Sequence, residues 1–177
     1  MEMIVRIVIA ALLAAPALVS AHGPSRQKVV KEVQVAAPAE KVWDMIRDFC
    51  SISTWNPEVP ECSATDGNAA DSVRTTTLKN GHKLQEKLVK HQPESMTLQY
   101  MLVEPNPDAL PINTLGTTLS VRAAEDGGSI VEWKCAFYRS FPGPTPPPEL
   151  SDEAAVAGVT RIVDAGLARL KELAEQQ

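Results

Sequence analysis

Apolar and polar residues alternate with the two-residue period of a β-strand over Lys28–Ala36. Val29, Val33 and Val35 fall on one face of that segment, which predicts a strand with one buried side. The period then changes to that of a helix. Pro38 stands at the point where the first turn of a helix accepts proline.

An apolar stripe follows and predicts a helix that runs through Phe49. The stripe consists of Val42, Trp43, Ile46 and Phe49. Cys50–Trp55 predicts a short second helix, which Pro57 ends because proline cannot continue a helix. A strand and two short helices are therefore expected before the rest of the fold.

Strand-like alternation returns after Glu58 and continues for most of the chain. Ser72–Leu78 and Lys83–Lys90 flank Asn80-Gly81, a dipeptide that strongly favours a hairpin turn. Further alternating segments predict more strands: Ser95–Val103, Leu115–Val121 and Ile130–Tyr138. Successive antiparallel hairpins of this kind build a meander.

A proline-dense segment, Phe141–Pro148, predicts a loop, and Ser151 after it is a suitable N-cap for a long last helix. The apolar residues of that helix recur at helical spacing: Val156, Val159, Val163, Leu167 and Leu170. The order of strand, helix pair, meander and helix predicts an α+β fold. One curved antiparallel sheet is expected to wrap around the last helix.

The hairpin turn allows an argument about which side chains face that helix. If Asn80-Gly81 is a two-residue loop, Thr75 pairs with Glu86 and shares its face. Leu84 and Leu88 are expected to face the helix, so Glu86 between them faces it too. A carboxylate on the apolar side of a sheet needs hydrogen bonds or a solvated cavity.

Tyr100 and Thr117 add inward polar groups on later strands, opposite Val159, Val163 and Leu167 of the last helix. Apolar walls with a few inward polar groups predict a ligand pocket. Alternatively, sheet twist carries Glu86 into water and Tyr100 simply reaches solvent. Glu86 and Tyr100 are also the candidate catalytic residues, as an acid–base pair.

The N-terminal residues predict export. Arg6 precedes the apolar run Ile7–Ala15, and Val19-Ser20-Ala21 resembles a small-x-small cleavage site. Residues 1–21 are therefore expected to be a signal peptide and residues 22–177 one domain of a periplasmic or secreted protein. An uncleaved anchor is the alternative. The net charge of −5 and the lack of a Lys/Arg cluster argue against nucleic acid and anionic lipid as partners.

The cysteines fit an oxidising compartment. A Cys50–Cys62 disulfide is the simplest pairing and leaves Cys135 buried and free, and three unpaired thiols are the alternative. No CxxC pair exists, and His82 and His91 are predicted on opposite faces of a strand. We therefore expect no metal site and no cofactor.

The ordered motifs of the chain resemble the START-like, Bet v 1-like (SRPBCC) superfamily, in its polyketide cyclase/dehydrase and lipid-transport branch. The matching segments are Glu40-Lys41-Val42-Trp43, Trp55-Asn56-Pro57, Asp71-Ser72-Val73-Arg74, Asn80-Gly81, Glu86-Lys87-Leu88, Leu110-Pro111-Ile112-Asn113 and Val131-Glu132-Trp133. The signal peptide and the cysteine pair resemble the secreted MxaD-like subgroup of that branch.

This resemblance implies a helix-grip fold, in which a seven-stranded sheet closes over the C-terminal helix around an apolar cavity. It also implies that Glu86, Thr117 and Glu132 face the cavity. Plant abscisic-acid receptors, which are distant relatives, have a tyrosine of their polar network at the position where this sequence has the apolar Leu115. Simple alternation instead directs Trp133 inward and Glu132 outward. Arg74 matches a common arginine of the branch, although a two-residue hairpin places it on the outer face.

The resemblance implies a protein that binds a hydrophobic small molecule. The first alternative, implied by the subgroup, is an accessory protein for a periplasmic quinoprotein alcohol (methanol) dehydrogenase or its cytochrome. The second alternative is a cyclase or dehydratase that uses Glu86 and Tyr100. The expected gates of the cavity are loops at strand ends. Their candidate residues are Asn80, Gly81, Leu110, Pro111 and Pro144.

Overall fold

A computed structural model describes residues 23–176, so the predicted signal peptide lies outside the described residues. Seven strands form one antiparallel sheet in the order β1-β7-β6-β5-β4-β3-β2. The strands are β1 Gln27–Val35, β2 Glu61–Ala64, β3 Val73–Thr77, β4 Lys83–Gln92, β5 Thr97–Glu104, β6 Ile112–Ala123 and β7 Ser129–Arg139. Sequential strands pair from β2 to β7, and β1 closes the sheet against β7, which confirms the predicted meander.

Among the described residues, three α-helices accompany the sheet: α1 Ala39–Ile46, α2 Ile52–Trp55 and α3 Asp152–Glu175. Helix α1 ends before the predicted Phe49, which lies buried in the following turn. The Ser151 hydroxyl accepts a hydrogen bond from the Ala154 N–H and caps α3, as predicted. The α+β, helix-grip architecture expected from the sequence is therefore confirmed.

The curvature of the sheet comes from irregular pairing. Register shifts interrupt the β4–β5 pair between Gln85 and Glu86 and again between Leu88 and Lys90. Bulges of this kind bend a strand and increase its twist. The sheet thereby curves around α3, whose buried face includes Val159, Val163 and Leu167.

The β3–β4 hairpin differs from the predicted two-residue loop. The Gly81 N–H donates to the Leu78 carbonyl, and the Leu78 N–H donates to the His82 carbonyl, both at 2.8 Å. The loop therefore contains three residues and ends on Gly81, whose φ of 84° is readily available only to glycine. Arg74, not Thr75, is consequently the partner of Glu86.

This one-residue difference reverses the predicted facing of β3. A single-residue register shift moves every side chain of a strand to the opposite face. Arg74 becomes buried at 3% exposure, whereas Thr75 pairs with Gln85 and faces outward. The predicted inward position of Thr75 and the outward position of Arg74 are both wrong.

Gly166 allows α3 to approach the rest of the core closely. A Cβ at this position would lie 2.6 Å from Asn56 Nδ2 and 2.9 Å from Trp133 Cζ3. Asn56 has little freedom to move, because Nδ2 donates to the Ile162 carbonyl and Oδ1 accepts from the Glu58 N–H. The absence of a side chain at position 166 therefore sets the distance between α3 and the Asn56 and Trp133 side chains.

We expect Gly166→Ala to lower the free energy of unfolding by about 1–3 kcal/mol, because overpacking forces buried groups apart. Gly158 is the matched control on the same helix, since a Cβ there would meet nothing closer than 3.6 Å. Gly158→Ala is expected to raise the free energy of unfolding by up to about 1 kcal/mol through helix propensity. Urea unfolding of both variants checks this pair, and equal effects would contradict the close approach at Gly166.

Candidate functional site

The interior of the sheet holds a buried ion pair. Arg74 Nε donates to Glu86 Oε2 at 2.8 Å, and the two side chains are 3% and 8% exposed. Arg74 Nη1 donates to the Phe49 carbonyl at 2.5 Å. Burial by itself lowers the pKa of the Arg74 guanidinium, but the charge of Glu86, together with smaller contributions from Tyr100 and from hydrogen bonding, outweighs that effect and raises the pKa above its ordinary value. The guanidinium is therefore a permanent, internally neutralised cation.

Two aromatic rings hold the guanidinium in place. Arg74 Cζ lies 4.4 Å from the Phe49 ring centroid and 4.3 Å from that of Tyr100. Such cation–π contacts strengthen when the cation is desolvated. Burial raises the pKa of the Tyr100 phenol above its ordinary value, although the Arg74 charge opposes the shift. Tyr100 is therefore a neutral phenol near neutral pH.

The ion pair lines a cavity of about 40 Å³ between the sheet and α3. The sheet side of the wall contains Arg74, Thr76, Leu84, Glu86, Tyr100, Leu115, Thr117, Trp133 and Cys135. The opposite side contains Ile52, Val59, Leu78, Leu110, Val159, Ile162 and Val163. The wall is mainly apolar, with its polar groups gathered on strands β3 to β7.

Most of the predicted binding residues meet in this cavity: Glu86, Tyr100, Leu115, Thr117, Val159 and Val163. Leu167 is buried on α3 but does not line the cavity. Glu132 lies on the outer face, where it forms an ion pair with Lys134, because β7 alternates regularly and directs Trp133 and Cys135 inward. The cavity position implied for Glu132 by the family resemblance is therefore wrong.

Arg74 lies on the face opposite to the one that a two-residue hairpin predicts, and Trp133 lines the cavity although it is not among the predicted site residues. Both side chains carry a buried nitrogen with no hydrogen-bond acceptor in the described part of the chain, Arg74 Nη2 and Trp133 Nε1. The alternation of apolar residues along β7 correctly predicts that Trp133 faces inward. The position of Arg74 is not predicted, because the β3–β4 loop has three residues and not two.

The side-chain amide of Asn80 joins two of the predicted gate loops. Asn80 Nδ2 lies 3.1 Å from the Asp108 carbonyl and 3.2 Å from the Ala109 carbonyl, so it donates across the gap between the loops. Leu110 lines the cavity directly beside this connection. Pro144 is exposed and lies outside the cavity wall, in the loop that Arg139 holds through the Phe141 and Gly143 carbonyls.

Cys135 is a buried free thiol in the cavity wall, while Cys50 and Cys62 form a disulfide. Burial raises the pKa of the Cys135 thiol to about 12. The thiol therefore remains neutral over the physiological range. Within residues 23–176, no group of three or more His, Cys, Asp and Glu side chains is placed to share a metal ion.

The raised pKa of Cys135 predicts a loss of stability in alkali. The unfolded chain ionises this thiol near pH 9, but the folded chain holds the proton until about pH 12. Between those values the unfolded state binds fewer protons, so stability falls by up to about 1.4 kcal/mol per pH unit for this group. Urea unfolding from pH 8 to 11 measures the slope, which should become shallower in Cys135→Ala. An identical slope in that variant would contradict the assignment.

The fold and the internal site define a helix-grip protein with a mainly apolar cavity. The profile described as polyketide cyclase / dehydrase and lipid transport matches residues 26–175 of the sequence. The chain therefore belongs to that family. A search of curated proteins finds no significant match.

Solved structures show the same fold. XoxI from Bacillus cereus has a TM-score of 0.71 at 23% identity, with 83% of this chain and 94% of that chain covered. The Zhui aromatase/cyclase from Streptomyces has a TM-score of 0.72 at 17% identity, with 86% and 95% covered. A protein from Thermobifida fusca has a TM-score of 0.68 at 24% identity, with 84% and 93% covered.

Proposed function

We propose that the protein binds a hydrophobic small molecule in the cavity between the sheet and α3. The main support is the composition of the wall, in which apolar side chains from both layers surround a compact polar group. Arg74, Glu86 and Tyr100 form that group, and all three are buried. Ligand pockets typically combine mainly apolar walls with a few fixed polar groups.

The cavity volume determines how binding must occur. Pockets for drug-sized ligands measure roughly 300–1,000 Å³, whereas this cavity measures about 40 Å³. Binding of anything larger than a few atoms therefore requires the wall to move outward. The Asn80 amide bonds to the Asp108 and Ala109 carbonyls link two gate loops, and their release is the proposed opening step.

Extraction of retained molecules tests this proposal. The protein is purified from the full sequence, extracted with organic solvent, and the extract is analysed by mass spectrometry. Val163→Phe fills the cavity, and Val159→Leu fills it with a smaller added volume. Val103→Phe is the control, because Val103 is 45% exposed and does not line the cavity. An apolar compound should accompany the wild type and Val103→Phe and be reduced in both filled variants. Equal recovery from every variant would contradict the proposal.

We also place the protein in the periplasm or outside the cell, after removal of residues 1–21. The Cys50–Cys62 disulfide supports this location, since structural disulfides persist mainly in oxidising compartments. Within residues 23–176, no helix is long and apolar enough to cross a bilayer. N-terminal sequencing of the exported protein should begin near His22, and a retained Met1 would argue against cleavage.

An accessory role beside a periplasmic quinoprotein alcohol dehydrogenase, as in the MxaD-like subgroup, is a second candidate. The observation that favours a protein partner is a shallow groove on the outer face of the sheet. Val30, Val89 and Met101 line it and are 52%, 46% and 45% exposed. Exposed apolar surface of this kind commonly marks interaction sites. Retention of the purified dehydrogenase by the wild type, but not by Met101→Glu, is the expected result.

Catalysis by Glu86 and Tyr100 receives less support from this geometry. Glu86 Oε2 is bonded to Arg74, and the raised pKa of Tyr100 makes its phenol a weak acid at neutral pH. A general acid or base works best with a pKa near the operating pH. The pair therefore serves better to position a ligand than to transfer a proton.

A further inference from the structure

The cavity contains hydrogen-bond donors that the protein itself does not satisfy. Arg74 Nη2 and Trp133 Nε1 are both buried without an acceptor among the described residues. Both side chains line the cavity and are 3% exposed. Buried polar groups are almost always hydrogen-bonded in native proteins, so unpaired ones need an explanation. Two such donors in one small cavity point to an acceptor that comes from outside the chain.

The remaining groups of Arg74 are already engaged, which fixes its free nitrogen in space. Nε donates to Glu86 and Nη1 donates to the Phe49 carbonyl. The aromatic rings of Phe49 and Tyr100 hold the guanidinium through cation–π contacts. Nη2 is consequently a preorganised donor rather than part of a mobile side chain.

Trp133 is also held rigidly. Its ring makes an edge contact with Trp55, with centroids 5.5 Å apart, and lies against Gly166 of α3. An indole Nε1–H can only donate a hydrogen bond. The unpaired Trp133 Nε1–H therefore requires a hydrogen-bond acceptor on the ligand, and a donor group on the ligand cannot satisfy it.

The charge of the wall limits the ligand further. The charges of Arg74 and Glu86 cancel, and the Tyr100 phenol and Cys135 thiol keep their protons because burial raises the pKa of each. An anionic ligand would bring an uncompensated charge into an apolar interior, which is strongly unfavourable. A neutral oxygen acceptor, such as a ketone, satisfies a donor without adding charge.

We infer that the cavity is selective for a neutral apolar molecule carrying a carbonyl-type oxygen, which accepts hydrogen bonds from the donors supplied by Arg74 Nη2 and Trp133 Nε1. This inference rests on the proposed binding function and adds the chemical class of the ligand. Trp133 is the residue that distinguishes it from a purely hydrophobic cavity. The loss of its single donor should weaken binding of an oxygen-bearing ligand without affecting a hydrocarbon.

Matched probes test the inference. Indane and 1-indanone share one ring frame and differ by a carbonyl, and 1-indanecarboxylate adds a negative charge. Each is titrated into ¹⁵N-labelled full-length protein while the tryptophan indole N–H signals and the cavity methyl signals are recorded. Comparison with Trp133→Phe assigns the Trp133 indole signal. Trp43→Phe is the control, since Trp43 stacks on His91 and does not line the cavity.

We expect 1-indanone to bind more tightly than indane and to move the Trp133 indole proton downfield. Trp133→Phe should weaken 1-indanone binding by about 2- to 10-fold, the usual effect of one hydrogen bond, and leave indane binding unchanged. Trp43→Phe should change neither affinity. The comparison of the three probes in the wild type requires no variant to fold.

Each contrary outcome has a distinct meaning. Equal affinities for indane and 1-indanone, with no selective effect of Trp133→Phe, would overturn the carbonyl inference and leave hydrophobic binding intact. Tighter binding of the carboxylate than of the ketone would overturn the neutral class. Failure of every probe to shift the cavity methyl signals would overturn the proposed binding function together with this inference.

Discussion

Replacing Glu86 by glutamine is expected to lower the free energy of unfolding by about 3–5 kcal/mol, because it leaves the Arg74 charge buried without its partner. The 2.8 Å ion pair is almost wholly shielded from solvent, with side chains 3% and 8% exposed. Arg74→Met should cost a similar amount, since Glu86 then lacks its cation. Urea unfolding at neutral pH measures both effects.

The double variant Arg74→Met/Glu86→Leu provides the matched test. Replacing both members of a buried pair by apolar residues is often nearly neutral, since both desolvation costs disappear. We expect it to be more stable than Arg74→Met or Glu86→Leu alone, giving a coupling energy of more than about 2 kcal/mol in the cycle of these three variants. Additive losses across the cycle would show that the two side chains act independently.

Removing the Cys50–Cys62 disulfide is expected to cost about 3 kcal/mol. The bridge spans a sequence separation of 12, and the closure entropy of a loop of that length gives this magnitude. Cys50→Ser/Cys62→Ser should therefore unfold at a lower urea concentration than the wild type. A reducing agent should destabilise the wild type but leave the double variant unchanged.

The disulfide should also affect the cavity. Cys50 follows Phe49, whose carbonyl accepts a hydrogen bond from Arg74 Nη1, and Cys62 lies on β2 beside the strand that carries Arg74. Loss of the bridge should broaden the NMR signals of Phe49 and Arg74 more than those of the distant β1–β7 pair. Uniform broadening across the sheet would contradict this local link. Cys135→Ala is the cysteine control, because that thiol is not bridged.

The hydrophobic pattern predicted most of the fold because apolar residues define the facing of most elements. Leu84 and Leu88 correctly placed Glu86 between them on the buried face. Tyr100 followed the same alternation and is buried as expected. The capped last helix was equally clear, since Ser151 precedes an amphipathic run.

The facing of β3 could not be derived in this way. Val73–Thr77 reads VRTTT and has one apolar residue, Val73, so its pattern barely distinguishes one face from the other. Its orientation then depended on the number of residues in the turn, which Asn80-Gly81 does not determine alone. The actual three-residue loop placed Arg74 beside Glu86 and moved Thr75 outside.

The direct test of the binding account is the position of a bound probe inside the molecule. Intermolecular nuclear Overhauser effects between 1-indanone protons and ¹³C-labelled methyl groups supply it. We predict cross-peaks to the methyl groups of Leu115, Val159 and Val163, which line the cavity. Cross-peaks confined to Val30 and Val89, in the groove on the outer face, would contradict binding between the sheet and the last helix.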